Sequence, residues 1–308
     1  MSRLVLPVLT PAASATVAHL AGDGRFDVVA VAVDVGQTPA LDGVRDAALV
    51  AGASRCHVVD RRDTLAEAVL WPALRVGAIA VPGAPVLTAL SMPVVADAVA
   101  EVARYEGASA VAAWADDALD RQRLRALLRT AAPGLGIVSV PQGTTGPARN
   151  LWATVRIADT TASRTAPGAA STAAARLRVG FERGVPVSLN GVNVSPAEMI
   201  DSLATIAADH GVAPCMVRDE ATGATWQVDA PAAQVLHQAM QALVARVADA
   251  PTHELLDTLA PVYATLVRDG AWYSPARAGI DACVDRLLAH ADGEITLHIS
   301  DGRIEGDA

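Results

Sequence analysis

Lysine is absent from this chain: all 24 basic residues are arginine. No side-chain amine is therefore available for Schiff-base chemistry or as a point-charge ligand for phosphate. A coding bias toward Arg, Ala, Gly and Val accounts for the skew in composition. Cysteine is scarce, with Cys56, Cys215 and Cys283 far apart and odd in number. That excludes a disulfide framework and a paired CxxC metal site, and it suits a reducing cytoplasm. Aromatic residues make up 3% and the net charge is −9, so the basic footprint of a nucleic-acid binder is missing. No apolar run approaches the roughly 20 residues of a membrane span. The N-terminal run Leu4–Leu9 is interrupted by Pro7 and falls short of the roughly 7–15 residues of a signal-peptide core. The motifs GxxxxGK[ST], GxSxG and HExxH do not occur. These absences lead us to expect a cytoplasmic protein with no nucleic-acid partner and no membrane partner.

What is present is apolar sequence in quantity. Hydrophobic residues are 52% of 308, enough for two cored domains. Residues 1–141 alternate strand and helix signals. "RLVLPVL", "DVVAVAVDVG", "RCHVVD", "SAVAAWA" and "GIVSV" are short Val/Ala-rich runs separated by helical spacing. Strands buried on both faces and linked by helices predict a doubly wound parallel sheet, whose ligands sit at the strand C-terminal ends. Residues 142–175 are rich in Gly, Pro, Ser, Thr and Ala and read as a linker or partly ordered excursion. Residues 176–308 predict an α+β domain. Hairpins are expected around Arg183-Gly184 and Asp301-Gly302 and across 214–231, with a helix capped by Ser195 and begun by Pro196.

Candidate chemistry is sparse. The stretch "RLVLPVLTPAASA" (3–15) reads as strand, turn and helix start, the place where an α/β domain holds phosphate, but the turn carries no glycine, acid or lysine. His237 and His253 lie on predicted helices without ligand spacing. Asp116, Asp117 and Asp120 follow a predicted strand. They suit either a substrate or metal group or simple helix capping, and the sequence leaves both open.

Read together and in order, "DVVAVAVDVGQ" (27–37), "WPALRVGAIA" (71–80), "PVVADAVAEVARYEGASAV" (93–111), "GFERGVPVSLNG" (180–191), "SPAEMIDSLATIAADHGV" (195–212) and "LVRDGAWYSP" (266–275) resemble the argininosuccinate synthase family. The resemblance covers nearly the whole chain. It implies an adenine nucleotide α-hydrolase-like, Rossmann-like domain followed by a synthetase-type domain. It also implies the family's chemistry, in which ATP adenylates the ureido oxygen of citrulline and aspartate displaces AMP.

The polar residues that the resemblance would assign to that chemistry are mostly replaced. The family's pyrophosphate loop, Ser-Gly-Gly-x-Asp-Thr-Ser, falls on Leu9–Ala15, where only Ser14 matches in kind. The citrulline segment falls on Ala84–Pro93, where Thr88 and Pro93 match. A glycine-rich segment falls on "AWADDALDRQRLR", where Asp120 and Arg123 match. Val155 and Ile157 stand where the family has a serine and a glutamate. Ser14 is thus a remnant of the pyrophosphate loop, and Thr88, Asp120 and Arg123 are remnants of substrate positions. We expect no catalytic residue and no metal ligand. The primary expectation is a non-catalytic paralogue that binds a protein partner or small ligand and needs no cofactor. Two alternatives stay open: a divergent ATP- and Mg-dependent carbon–nitrogen ligase, and a small-molecule binder using an apolar cleft. The family's long C-terminal tail is not matched, which speaks against its usual tetramer and leaves a homodimer open.

Overall fold

The computed structural model describes residues 1–37, 41–80, 89–113, 115, 118–138, 140, 148–157, 174–218 and 225–306. These residues form two compact units, each assembled from separate stretches of chain.

The first unit contains Met1–Leu65, Ala89–Asn150 and Val267–Tyr273. Its strands are β1 (Ser2–Pro7), β2 (Phe26–Asp34), β3 (Arg55–Asp60), β4 (Ala110–Ala112) and β5 (Gly136–Val138). They make one sheet in the order β3-β2-β1-β4-β5. Every pairing in it is parallel, as the buried Val/Ala runs predict. Side chains alternate between faces along a strand. Leu4 and Leu6 of β1 and Val28, Ala30 and Ala32 of β2 therefore share a core with Val17 and Leu20 of helix α1 (Ala13–Gly22) and Val44 and Ala48 of helix α2 (Leu41–Val50). The strand order reverses direction between β1 and β4. That switch point is where a doubly wound sheet opens a crevice at its strand C-terminal ends.

The second unit contains Ala66–Thr88, Leu151–Leu266 and Ser274–Ala308. In its first stretch a π-helical turn, Ala66–Leu70, runs into a short helix, Trp71–Arg75. An antiparallel five-stranded sheet holds β8 (Ala175–Glu182), β9 (Val185–Leu189), β10 (Val192–Asn193), β13 (Gly293–Ser300) and β14 (Arg303–Gly306). Its order is β10-β9-β8-β13-β14. The hairpins expected around Arg183-Gly184 and Asp301-Gly302 are present. Arg183-Gly184 and Asp301-Gly302 have positive φ at both central positions, the backbone of a type I′ turn. A second antiparallel ladder joins β7 (Thr154–Ile157) to β12 (Thr225–Asp229) and β12 to β11 (Cys215–Arg218). The helix Pro196–Asp209 starts as its sequence predicts. The Ser195 side chain accepts from the Glu198 N–H, and the Glu198 side chain accepts from the Ser195 N–H.

Composition divides the chain at 142–175, whereas packing interleaves it. The strands at 148–149 and 154–157 fall inside the stretch read as a linker. The segment Val267–Tyr273 packs with the first unit although it lies far downstream of residue 141.

Candidate functional site

The loop after β1 lies at the switch point, and several of its backbone donors are already engaged. Val8 N–H extends the strand pairing by donating to Val31 O at 2.8 Å. Pro11 has no N–H. Ala13 N–H donates to Thr10 O and Ser14 N–H to Pro11 O, both at 3.1 Å. Those are tight i→i−3 bonds that turn the donors back into the chain. Ala12, the residue before α1, is right-handed (φ −61°, ψ −25°) and offers no side-chain cap. A phosphate nest works differently, by pointing successive N–H groups into one concavity, which left-handed or glycine conformations allow. The helix N-terminus remains, worth about 0.3–1 kcal/mol toward an anion when exposed. Ser14 is half-buried, and its hydroxyl makes no hydrogen bond with any described residue.

Gln37 occupies the neighbouring space. It is 9% exposed. Its amide nitrogen donates to Val33 O at 2.6 Å and Leu9 O at 3.4 Å, and its Oε1 accepts from Val35 N–H at 2.8 Å. One buried amide thus ties the end of β2 to the loop after β1. At the C-terminal ends of β2 and β3, Asp34 and Asp60 stand in register. Arg62 binds Asp60 through Nη2 at 2.7 Å and lies 3.6 Å from Asp34. The Arg62 hydrogen bond comes first among the effects that hold the Asp60 carboxyl below its usual range. Across β4, Ala113 and Ala115 are buried. The described residues around the crevice thus include apolar side chains, a self-satisfied amide and an ion pair, beside the half-buried Thr10 and Ser14.

Asp120 and Arg123 sit in the helix Ala118–Ala131, at 5% and 3% exposure. Arg123 Nη1 donates to Asp120 Oδ1 at 2.5 Å, and Arg123 Nε donates to Arg268 O at 2.6 Å. Gly270 lies against the same helix. A Cβ on it would come 3.3 Å from Arg123 Cα, and its φ is +72°. Tyr273 completes the attachment by donating its hydroxyl hydrogen to Asp97 Oδ1 at 2.6 Å. The pair thus clamps the DGAWY segment onto the first unit.

Another buried charge lies at the opposite, N-terminal ends of the strands. Glu106, with its side chain 1% exposed, receives Arg3, Arg55 and His57 Nε2, the last at 2.7 Å. Burial works against its charge, but the hydrogen bonds from His57 and Arg55 outweigh that and hold the carboxyl below the usual glutamate range.

Ser14 makes no bond to Asp120 or Arg123, so the remnants are not joined in one network. Thr88, Asp116 and Asp117 lie outside the described residues. Among the described residues no group of three or more His, Cys, Asp or Glu side chains is placed to hold a metal. No described helix is long and apolar enough to cross a membrane. Sequence reasoning missed Gln37 as the residue that ties the loop after β1 to the end of β2. Nothing in its immediate sequence signals an amide turned inward.

A parallel sheet ordered 3-2-1-4-5, with its crevice at the β1 loop, followed by an antiparallel α+β unit, defines a HUP-type nucleotide-binding architecture joined to a synthetase-type unit. Family models agree in both halves. The argininosuccinate synthase N-terminal HUP domain matches residues 12–154 and the argininosuccinate synthase C-terminal domain matches residues 148–306. Similar proteins named argininosuccinate synthase occur in Pelotomaculum thermopropionicum (28% identity over 90% of this chain and 80% of the relative) and Dehalococcoides mccartyi (28%, 94% and 81%). Another occurs in Desulforamulus reducens (26%, 94% and 83%). The chain belongs to the argininosuccinate synthase family.

Proposed function

We propose that this protein is a non-catalytic member of its family, one that keeps the scaffold and acts by binding a partner protein or small ligand rather than by ATP-dependent ligation. The observation that carries the reading is the β1 loop. Pro11 has no N–H, and the N–H groups of Ala13 and Ser14 are spent on Thr10 and Pro11 carbonyls. Phosphoryl chemistry relies on preorganised donors and cations around the phosphates. A loop in which two donors at the helix start turn inward and Pro11 supplies none, in a chain without lysine, provides little of either. The structural roles of Asp120 and Arg123 add support: Arg123 holds the 267–273 segment through Arg268 O and pairs with Asp120. The test is pyrophosphate release at high enzyme concentration with Mg-ATP, citrulline and aspartate, extended to a panel of other amino acids. The expected result is no release above the enzyme-free rate. Substrate-dependent release that disappears on Asp120→Asn would instead make the chain a divergent ligase.

A further inference from the structure

The second unit contains a cavity of about 400 Å³ that the β1 loop does not touch. It lies between the helices Pro231–Val247 and Ala250–Arg268 and is bounded by the end of the helix Trp71–Arg75. Its size falls within the roughly 300–1,000 Å³ typical of small-molecule sites. Leu74, Met240, Val244 and Leu256 line it and are buried, so its walls are largely apolar. The charged groups at its border are paired or hydrated. Arg75 gives Nη1 to Asp285 at 2.6 Å. Its buried Nε has no partner, but that atom lies beside Gly184, outside the lining: a Cβ on Gly184 would come 3.4 Å from it. Asp257 is exposed, so water screens its carboxylate. His253 lies near the Asp249 carboxylate. One paired cation and one hydrated anion give an ionic ligand of either sign no advantage.

His237 and Gln241 are the polar groups left to set a preference. They lie one turn apart on one helix, and both line the cavity. Neither side chain bonds to a described residue. His237 is half-buried, and burial pushes its imidazole down, so at neutral pH the uncharged ring offers one N–H and one lone pair. The Gln241 carboxamide likewise offers donors and an acceptor. A polar atom left unmet beside an apolar wall is costly once a ligand displaces its water. The complementary ligand therefore brings an acceptor and a donor together, without charge, on an apolar body. A planar amide or lactam carries both functions on neighbouring atoms, in keeping with a mainly apolar pocket that orients its ligand through a few polar groups.

We propose that this cavity binds a small uncharged amide, its alkyl or aryl body against Met240, Val244 and Leu256 and its amide group toward His237 and Gln241. The proposal concerns residues of the second unit only and stands whether or not the protein turns over ATP.

The test titrates the full-length protein with 2-phenylacetamide, and with phenylacetate, phenethylammonium and ethylbenzene as anionic, cationic and apolar matches, followed by calorimetry and ligand-observed NMR. The expected result is saturable binding of 2-phenylacetamide, preferred over both ions by about tenfold. His237→Phe keeps an aromatic ring but removes its nitrogens. It is expected to weaken 2-phenylacetamide about fivefold and to leave ethylbenzene unchanged, a split that a merely structural role for His237 would not produce. Ala245→Trp, at an exposed position on the cavity wall, is expected to abolish binding without lowering the melting temperature. Either ion binding as tightly as the amide, amide binding that survives Ala245→Trp, an amide affinity unmoved by His237→Phe, or no saturable amide binding up to about 10 mM overturns the proposal.

Discussion

Asp120 and Arg123 are one helical turn apart and almost wholly out of water, and Arg123 spends a second donor on a carbonyl 145 residues downstream. Removing one member of such a pair strands the other. Arg123→Leu is therefore expected to cost about 3–5 kcal/mol in urea unfolding. Adding Asp120→Asn should recover part of the loss, because the stranded charge goes with it. If the double variant is as unstable as the single, the pair is not coupled as the geometry indicates. Glu106 offers a pH test. Its folded-state pKa lies below the unfolded one, so the stability it contributes is fully present above the ordinary glutamate range, roughly pH 4–5. That stability is lost as pH falls through the depressed folded value. The groups that face it are Arg3, Arg55 and His57. Glu106→Gln should lower the urea midpoint clearly at pH 7 and much less near pH 3, so the two unfolding curves converge in acid. A gap that stays constant across that range would place the effect in packing rather than charge. Resemblance made Asp120 and Arg123 legible as matched residues, but their use was not legible. The segment they hold arrives from far along the chain, and no local pattern reports a contact of that separation.

The helix and hairpin boundaries follow local chemistry closely. Ser195, Pro196 and Glu198 set the start of one helix by satisfying orphan N–H groups, and that signal lies within four consecutive positions. Ser195→Ala should cost about 1 kcal/mol in thermal or urea melts, with the fold unchanged. The final hairpin is more demanding. Gly302 has φ +75°, and a Cβ there would lie 2.5 Å from Gly211 O. Gly302→Ala should cost about 1–3 kcal/mol from backbone strain, with the collision added. A neutral effect on the melting temperature would mean that the turn relaxes freely. The parallel sheet was equally readable, because Val/Ala runs buried on both faces leave little alternative. The β1 loop was readable only as an absence of glycine and acid. That the Ala13 and Ser14 donors turn inward follows from the local backbone geometry, and the Gln37 amide bonded to Leu9 O and Val33 O gives no periodic signal.

At the scale of the whole molecule, sequence composition suggests two domains in series, whereas the fold weaves two units from three stretches each. Composition sees only neighbours in sequence. The excursion of 267–273 into the first unit is set by a few long-range contacts, among them Arg123 to Arg268 and Tyr273 to Asp97. Both halves of the chain match the family, with 80–83% of the relatives covered. The proposed loss of chemistry is a separate matter and rests on the loop between β1 and α1. Calorimetric titration of the full-length protein with Mg-ATP at low ionic strength tests it most directly. With the Ala13 and Ser14 donors turned inward and Pro11 without one, no saturable heat is expected up to about 1 mM nucleotide. A saturable, magnesium-dependent isotherm with a Kd well below that, weakened by Ser14→Ala, would contradict the central claim.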